Sequence, residues 1–324
     1  MTRSLTILSA YLSLTMALAP LAAGQTVVPV WPHLKLSAAA RKVRVIRNAS
    51  IGFIALAPVR WPTLTEFPAP AKLRNGCAMV ICPGGGYALE AMSLEGYRVA
   101  RRFNQAGISC YVLRYRLPMG KLPSNGVPWP LADVRRAIQI VKAHAAAWHL
   151  NPRKIGVVGF SAGGSAASLA GVHWLPGNPA AKNPLNRYST RPAFMVLGYP
   201  VISMLKSITH MGSHNNLLGV NPPCRVEQYF SSELNVDALT PPAFIFFAHD
   251  DTAVPHQNSK FFYAALRRAG VAARLVEFRH GKHGFGLGIP GTDSVQWPNL
   301  CLHWLAKMKF IPASQTAPKR GSAH

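Results

Sequence analysis

The segment Gly159-Phe160-Ser161-Ala162-Gly163 constrains the fold of this chain more than any other. A mainly apolar run, residues 154–158, precedes it, and small residues with helical character, 164–170, follow it. This order predicts a buried strand, a sharp turn and a helix, and glycine tolerates the close backbone contacts on both sides of such a turn. The turn would lift the Ser161 hydroxyl above the edge of a sheet, and the helix would direct its N–H groups there. A Gly/Ser-rich loop without chemistry is the alternative, and the flanking strand and helix argue against it.

From Cys77 onward, short apolar runs typical of buried strands alternate with amphipathic helical patterns. The short connections between them favour a parallel sheet covered on both faces, so the predicted fold class is α/β with a mostly parallel central sheet. The predicted strands are 78–82, 108–115, 154–158, 193–197, 243–248 and 273–278. The predicted helices are 95–106, 131–148, 161–172, 259–269 and 297–308.

The other segments are less regular. Residues 25–40 predict an irregular arm, and the segment before Cys77 then contains early strands at 43–46 and 51–56 and an edge strand at 64–67. Residues 199–240 are rich in Pro, Asn, Gly and His and predict loops that form a lid or contact a substrate. No internal repeat or linker interrupts the pattern. We therefore predict one domain over residues 25–312 and a flexible tail over 313–324.

The first 24 residues have the pattern of a secretory signal peptide. Arg3 gives a positive start, residues 5–18 are mainly apolar, and Ala22-Ala23-Gly24 is a small-residue cleavage site. A membrane anchor is the competing interpretation, but the apolar run is short and lacks a basic stop-transfer flank. We therefore expect cleavage after Gly24, a secreted or periplasmic protein, and no stable insertion in the membrane.

The chain is strongly basic, because 35 Lys and Arg residues outnumber 11 Asp and Glu residues and give a net charge of +24. Removal of residues 1–24, in which Arg3 is the one charged residue, would leave +23. Such a charge attracts nucleic acids, anionic polymers and membranes. However, the basic residues are dispersed, and no helix-turn-helix, zinc-finger or aromatic-basic RNA motif is present. We predict a solvated basic surface and no nucleic-acid partner, and the sequence leaves the oligomeric state unassigned.

The cysteines argue against a metal site. There are five, an odd number, and none forms a C-x-x-C pair. Cys82 and Cys110 lie in or beside predicted core strands and are expected to be buried as small apolar residues. No disulfide can be assigned from the sequence. We expect neither a metal nor a cofactor.

A serine at such a turn becomes a nucleophile when a base and an orienting acid lie beside it. In hydrolases of this build the acid and then the histidine follow the serine in the chain, each at a strand end. Asp250 and Asp251 come directly after the strand 243–248. After the strand 273–278 comes a glycine-rich loop with His280 and His283. His283, before Gly284-Phe285, is the preferred base and His280 the alternative.

The oxyanion of an acyl-transfer intermediate needs prearranged hydrogen-bond donors. Cys82-Pro83-Gly84-Gly85-Gly86-Tyr87 follows the strand 78–82, and its glycines let backbone N–H groups approach a substrate. We assign the N–H groups of Gly85 and Gly86 to this role, together with the N–H of Ala162, which follows the serine. A flexible turn is the alternative interpretation of the three glycines. Because they occur together with the serine turn, the role as oxyanion donors is favoured.

Several further motifs occur in the order typical of one superfamily. They are residues 83–87 (PGGGY), 159–164 (GFSAGG), 250–255 (DDTAVP) and 283–285 (HGF), with Glu95-Gly96, 113–117 (LRYRL) and 197–203 (LGYPVIS). The chain resembles the α/β-hydrolase superfamily and, more narrowly, bacterial esterases of the acetyl-xylan and feruloyl type, from about Cys77 to Trp304. The resemblance implies Ser161 as nucleophile, His283 as base and Asp251 rather than Asp250 as acid.

These features lead us to expect a serine carboxylesterase that removes short, acetyl-type groups from carbohydrate such as xylan. The expected partner is a small-molecule or polysaccharide ester. A serine peptidase of the prolyl-oligopeptidase type and a lipid esterase are the alternatives. The peptidases usually carry a large propeller, for which we expect no room, and no long apolar segment builds a lipase lid. Aromatic, histidine and amide side chains in the loops either contact sugar or pack the loops; they include His210, His214, Tyr229 and Phe230.

Overall fold

The computed structural model describes residues 25–316. The predicted signal peptide, residues 1–24, and the end of the predicted tail, 317–324, lie outside the described residues. The centre of the fold is an eight-stranded sheet in the order β1-β4-β6-β5-β7-β8-β9-β10. β5 to β10 run parallel to one another, whereas β4 is antiparallel to β6 and to β1. β2 and β3 form a separate antiparallel pair.

The strands are β1 Val27–Pro29, β2 Arg44–Asn48, β3 Phe53–Ala57, β4 Thr63–Phe67, β5 Ala78–Cys82, β6 Ser109–Arg114, β7 Ile155–Phe160, β8 Met195–Gly198, β9 Ala243–Ala248 and β10 Ala273–Phe278. The α-helices are α1 Ala38–Arg41, α2 Arg98–Asn104, α3 Trp129–Ala143, α4 Ser161–Val172, α5 Met211–Leu218, α6 Cys224–Tyr229, α7 Gln257–Arg268 and α8 Trp297–Lys307. A π-helical turn, Met92–Tyr97, leads into α2. Short 3-10 helices are Ala49–Ile51, Pro152–Lys154, Pro184–Arg187, Ser232–Leu234, Asp293–Gln296 and Ala313–Gln315.

The core consists of two apolar layers, one on each face of the sheet. Helices α3, α4 and α7 pack on one face, where residues such as Val134, Leu169 and Phe262 are buried. Helices α2 and α8 cover the other face with Phe103 and Trp304 among the buried residues. Because the parallel strands are buried on both faces, they are continuous apolar runs, and this made them visible in the sequence. The predicted fold class is confirmed.

The structure differs from the sequence prediction at five places. The helix predicted over 131–148 is α3, which begins at Trp129 and ends at Ala143. The arm over 25–40 contains β1, which extends the sheet by pairing Val28 with Leu64 of β4. The predicted helix 95–106 begins as the π-helical turn and ends at Asn104. The region 199–240 includes α5 and α6. The first residues of the predicted tail form the 3-10 helix Ala313–Gln315. This helix is held by hydrogen bonds from the Gln315 amide to Leu73 O and from the Asn75 amide to Gln315.

Across residues 25–316, no helix is both long and apolar enough to cross a membrane.

All five cysteines are free. Cys82 and Cys110 are buried, as the sequence predicted. Cys77 and Cys301 are buried too, whereas Cys224 is exposed.

Candidate active site

Ser161 stands at the sharp turn between β7 and α4. Its backbone has a φ of +51°, in the left-handed region that L-residues rarely adopt. A Cβ at Gly159 would lie 2.3 Å from the carbonyl oxygen of Gly163, and one at Gly163 would lie 2.1 Å from that of Cys82. Both glycines are therefore required by close packing, as the sequence pattern predicts. The turn directs Ser161 Oγ away from the strand and towards the loop that follows β10.

His283 and Asp251 lie in line with Ser161. The distance from Ser161 Oγ to His283 Nε2 is 2.8 Å, and that from His283 Nδ1 to Asp251 Oδ2 is also 2.8 Å. An ionised carboxylate only accepts hydrogen bonds, so the proton of a neutral imidazole lies on Nδ1 and Nε2 accepts the serine O–H. The other oxygen, Asp251 Oδ1, accepts the backbone N–H groups of Ala253 and Val254 at 2.9 and 3.0 Å. The loops after β7, β9 and β10 thus bring the three side chains together.

Asp250 and His280, the alternatives for acid and base, occupy different places. Asp250 Oδ1 accepts the N–H groups of Gly281 and Lys282 at 2.9 and 2.7 Å, so it holds the loop that carries His283. These backbone hydrogen bonds, chiefly that from Lys282, lower the pKa of Asp250. His280 is largely exposed, and its Nδ1 lies 3.7 Å from Asp250 Oδ2. Neither side chain is hydrogen bonded to Ser161 or His283.

The glycine loop after β5 lies against Ser161. Its first glycine, Gly84, donates its N–H to Glu95 Oε2 at 2.7 Å. Gly85 and Gly86 both have positive φ, +131° and +62°, and their N–H groups have no protein acceptor among residues 25–316. Ala162 is in the first turn of α4, where N–H groups have no partner within the helix. The three predicted oxyanion donors are thus N–H groups beside Ser161 that remain available to a substrate.

Glu95 and Tyr199 connect the glycine loop to the histidine loop. The Tyr199 hydroxyl donates to Glu95 Oε1 at 2.8 Å and accepts the N–H of Gly286 at 3.0 Å. The Tyr199 ring also lies edge-on to the His283 ring, with 5.0 Å between centroids. Burial raises the pKa of the Glu95 carboxyl, and the hydrogen bonds from Tyr199 and Gly84 oppose this shift. Burial, followed by the charge of Glu95, raises the pKa of Tyr199, so the phenol keeps the proton that it donates.

The residue pattern predicted no role for Glu95 or Tyr199, although both are in the motifs that carry the resemblance. A carboxylate among the apolar positions of a predicted helix was the available signal for Glu95. Asn216 of α5 was also missed: its amide donates to Gly86 O at 2.8 Å and so fixes the glycine loop from outside.

A cavity of about 380 Å³ opens beside Ser161 and His283. Its wall includes Gly85 and Gly86 and apolar side chains, which are those of Phe53, Leu89, Ala91 and Leu94. His210 also lines the cavity, and burial lowers the pKa of its imidazole, an effect reinforced by His283.

Of the four loop residues proposed for sugar contact, only His210 lines this cavity. His214 is buried and hydrogen bonded to Glu227, and Phe230 is buried in the core. Tyr229 is exposed and stacks on His173 with 4.3 Å between ring centroids. These three residues contact other loop residues rather than the cavity, so loop packing describes them better than sugar contact. Within residues 25–316, His, Cys, Asp and Glu side chains do not group in threes that could hold a metal ion.

The protein has the α/β-hydrolase fold. This follows from the mostly parallel sheet, from the serine turn between β7 and α4, and from solved structures of similar build. The chain belongs to the BD-FAE family, whose sequence profile matches residues 67–266. This result confirms the resemblance inferred from the motifs.

Two curated relatives illustrate the similarity. The chain is 37% identical over 218 residues to an acetylxylan esterase of Xylanibacter ruminicola, covering 66% of this chain and 42% of that protein. It is 34% identical over 243 residues to endo-1,4-beta-xylanase B of Butyrivibrio fibrisolvens, covering 73% of this chain and 35% of that protein. The chain therefore spans less than half the length of either curated relative.

The solved structure of an acetyl ester-xyloside bifunctional hydrolase from Caldicellulosiruptor lactoaceticus superposes with a TM-score of 0.76 at 35% identity, covering 88% of this chain and 97% of that one.

Proposed function

We propose that the protein is a serine carboxylesterase that removes short acyl groups, acetyl first, from carbohydrate. The observation that carries this proposal is the line of two 2.8 Å hydrogen bonds from Ser161 through His283 to Asp251, at the edge of a cavity walled by Gly85 and Gly86. A positioned base activates the serine hydroxyl, and donors beside it stabilise the oxyanion; both are needed for acyl transfer.

In the acylation step, Ser161 Oγ attacks the ester carbonyl carbon while His283 Nε2 takes its proton. The negative charge moves to the carbonyl oxygen, which accepts hydrogen bonds from the N–H groups of Gly85, Gly86 and Ala162. Asp251 stabilises the imidazolium through the Nδ1–H hydrogen bond and remains ionised. Collapse of the intermediate breaks the bond to the sugar oxygen, and His283 returns the proton to that oxygen as the alcohol leaves.

Deacylation repeats these steps with water as the nucleophile. His283 takes a proton from water, the hydroxide oxygen bonds to the acyl carbon, and the second oxyanion is held by the same N–H groups. Its collapse breaks the bond to Ser161 Oγ, which recovers its proton from His283. The acid is released and the enzyme returns to its starting state.

The small cavity supports short acyl groups. About 380 Å³ must accommodate both the acyl group and the part of the alcohol next to the ester. The side chains of Phe53, Leu89 and Leu94 in its wall are apolar, which suits a methyl group more than a charged one. Two relatives whose names include acetylxylan esterase and xylanase support carbohydrate as the alcohol.

A series of p-nitrophenyl esters, assayed beside acetylated xylan and aminoacyl p-nitroanilides, tests this function. We expect the highest kcat/KM with acetate, a decline of at least tenfold by eight carbons because longer chains exceed the cavity, release of acetate from the xylan, and no cleavage of the anilides. Maximal activity at ten carbons or more without acetate release would instead identify a lipid esterase. Cleavage of the anilides would identify a peptidase.

We also propose that the protein acts outside the cytoplasm, after removal of residues 1–24. The charged start, apolar run and small-residue site support export, and a polymeric substrate would be met there. Amino-terminal sequencing of the protein purified from the periplasm or medium is expected to begin at Gln25. A protein that starts at Met1 and stays in the cytoplasm would refute export while leaving the esterase proposal intact.

A further inference from the structure

A second cavity, of about 540 Å³, shares no residue with the one beside Ser161. We call it the tryptophan cavity; its wall includes Trp31, Arg116, Asn125, Trp129, Arg136 and Asn183. An adjoining hollow of about 390 Å³ shares Trp31, Asn125 and Arg136 with it. Both volumes are within the range of small-molecule sites, about 300–1,000 Å³.

The tryptophan cavity lies at the same edge of the sheet as Ser161. Arg116 follows the carboxyl end of β6, as Ser161 follows that of β7, and the carboxyl ends of parallel strands share one edge. The segment between β6 and α3 also connects to the glycine loop through α5. Gly120 N donates to Asn216 O at 2.9 Å, and the Asn216 side chain donates to Gly86 O at 2.8 Å.

One of the two arginines in the tryptophan cavity is neutralised by a carboxylate. Asp133 is fully buried and accepts Arg116 Nη2 at 2.6 Å, together with Arg116 Nε and the Arg116 backbone N–H. It also accepts Trp31 Nε1 at 2.6 Å. Four donors therefore occupy the two oxygens of Asp133, and its one negative charge is matched by Arg116.

Arg136 has no such counter-charge. It is 8% exposed, and its guanidinium stacks on the Trp31 ring at 4.5 Å. Within residues 25–316, its Nε and Nη1 atoms have no hydrogen-bond partner and no carboxylate forms an ion pair with it. Burial lowers the pKa of Arg136, yet a guanidinium remains charged at neutral pH. An uncompensated buried charge is costly, and an anion bound in the tryptophan cavity would remove that cost.

The remaining wall indicates what the anion is attached to. The half-buried rings of Trp31 and Trp129 add apolar surface to the wall beside the guanidinium groups that stack on them, which suits the C–H groups of a sugar ring. Asn125 and Asn183 have amides suited to hydroxyl groups. We infer that the tryptophan cavity binds a carboxylate-bearing sugar, a hexuronate, with its carboxylate on Arg136. The choice of a sugar rests on the proposed function, because an acetylated polysaccharide with uronic acid substituents would present both groups to one edge of the enzyme.

Calorimetric titration of the whole protein with sodium D-glucuronate tests the inference, with D-glucose, sodium acetate and inorganic phosphate as comparison ligands. We expect glucuronate to bind at least tenfold more tightly than the other three, since it alone has both the charge and the ring. In Arg136→Met, which keeps an apolar stem on Trp31, glucuronate binding should weaken at least tenfold, the loss expected for one charged hydrogen bond. Thermal denaturation checks that this variant is folded, and Arg136→Gln replaces it if it is not.

Arg268→Met is the matched control. It removes the same charge from an exposed position on α7, so glucuronate binding and p-nitrophenyl acetate hydrolysis should both remain unchanged. Equal weakening in the two variants would show a general effect of net charge and overturn the inference. Equal binding by wild type and Arg136→Met, or tighter binding of phosphate than of glucuronate, would also overturn it.

Ester hydrolysis by the wild-type protein separates this inference from the proposed function. Arg136-dependent glucuronate binding without any ester hydrolysis would support the binding site and refute the esterase. Hydrolysis of acetylated xylan without glucuronate binding would support the esterase and refute the binding site.

Discussion

Replacing Ser161 with alanine is expected to lower kcat for p-nitrophenyl acetate by about 10⁶-fold, the loss seen when the serine of such a triad is removed. The alanine keeps the strand, turn and helix, but no atom remains to form the acyl-enzyme. Activity of about 10³- to 10⁴-fold over water should remain, since the N–H groups of the glycine loop are untouched. Burst kinetics and covalent labelling by an organophosphate, followed by intact-mass measurement, provide the readout.

Ser165→Ala is the matched control for this prediction. Ser165 is buried one turn further along the same helix, and its hydroxyl is not hydrogen bonded to His283 or Ser161. This variant should keep both labelling and turnover near those of the wild type. Stoichiometric labelling of Ser161→Ala would show that another residue is the nucleophile.

Replacing His283 with alanine is expected to cause a loss of similar size, about 10⁶-fold in kcat. Its Nε2 is the only imidazole nitrogen hydrogen bonded to Ser161 among the residues described, 25–316. Without that base the serine hydroxyl remains protonated at neutral pH, and the leaving alcohol has no proton donor. Stopped-flow measurement of the first turnover distinguishes slow acylation from slow product release.

His280→Ala is the matched control in the same loop. The His280 side chain is 71% exposed, and its Nδ1 lies 3.7 Å from Asp250 Oδ2. It is not hydrogen bonded to Ser161. We expect kcat within a few fold of the wild type. An equal collapse of activity in the two folded variants would mean that His280 acts on substrate, and a fully active His283→Ala would remove His283 from the mechanism.

The neighbouring residues Asp250 and Asp251 show which parts of the site the residue pattern could predict. Asp250 and Asp251 both follow β9, and residue type and position alone left the acid open between them; the motif resemblance favoured Asp251. Successive side chains at a strand end point in different directions, so only one faces His283. In the structure Asp251 does so, and its second oxygen accepts the N–H groups of the following turn. Asp250 instead accepts the backbone N–H groups of Gly281 and Lys282, just before His283.

The sequence by itself determined the features that depend on local pattern. Apolar runs and helical periodicity predicted the parallel strands and the helices of the core, because burial on both faces leaves a continuous apolar signature. The glycine spacing around Ser161 predicted the turn, since each glycine avoids a backbone clash within or beside that turn. Ser161, the Asp250-Asp251 pair and His283 could be proposed because each lies in the turn or loop that follows a strand.

Only the tertiary structure decided the features that join segments distant in the chain. β1 is a three-residue strand that exists by pairing with β4, Glu95 reaches Gly84 and Tyr199, and Arg136 stacks on Trp31. None of these contacts leaves a periodic trace in the residues near it. The reason is physical: periodicity records which face of a segment is buried, whereas the partner of a buried polar group depends on how the helices and loops pack against the sheet.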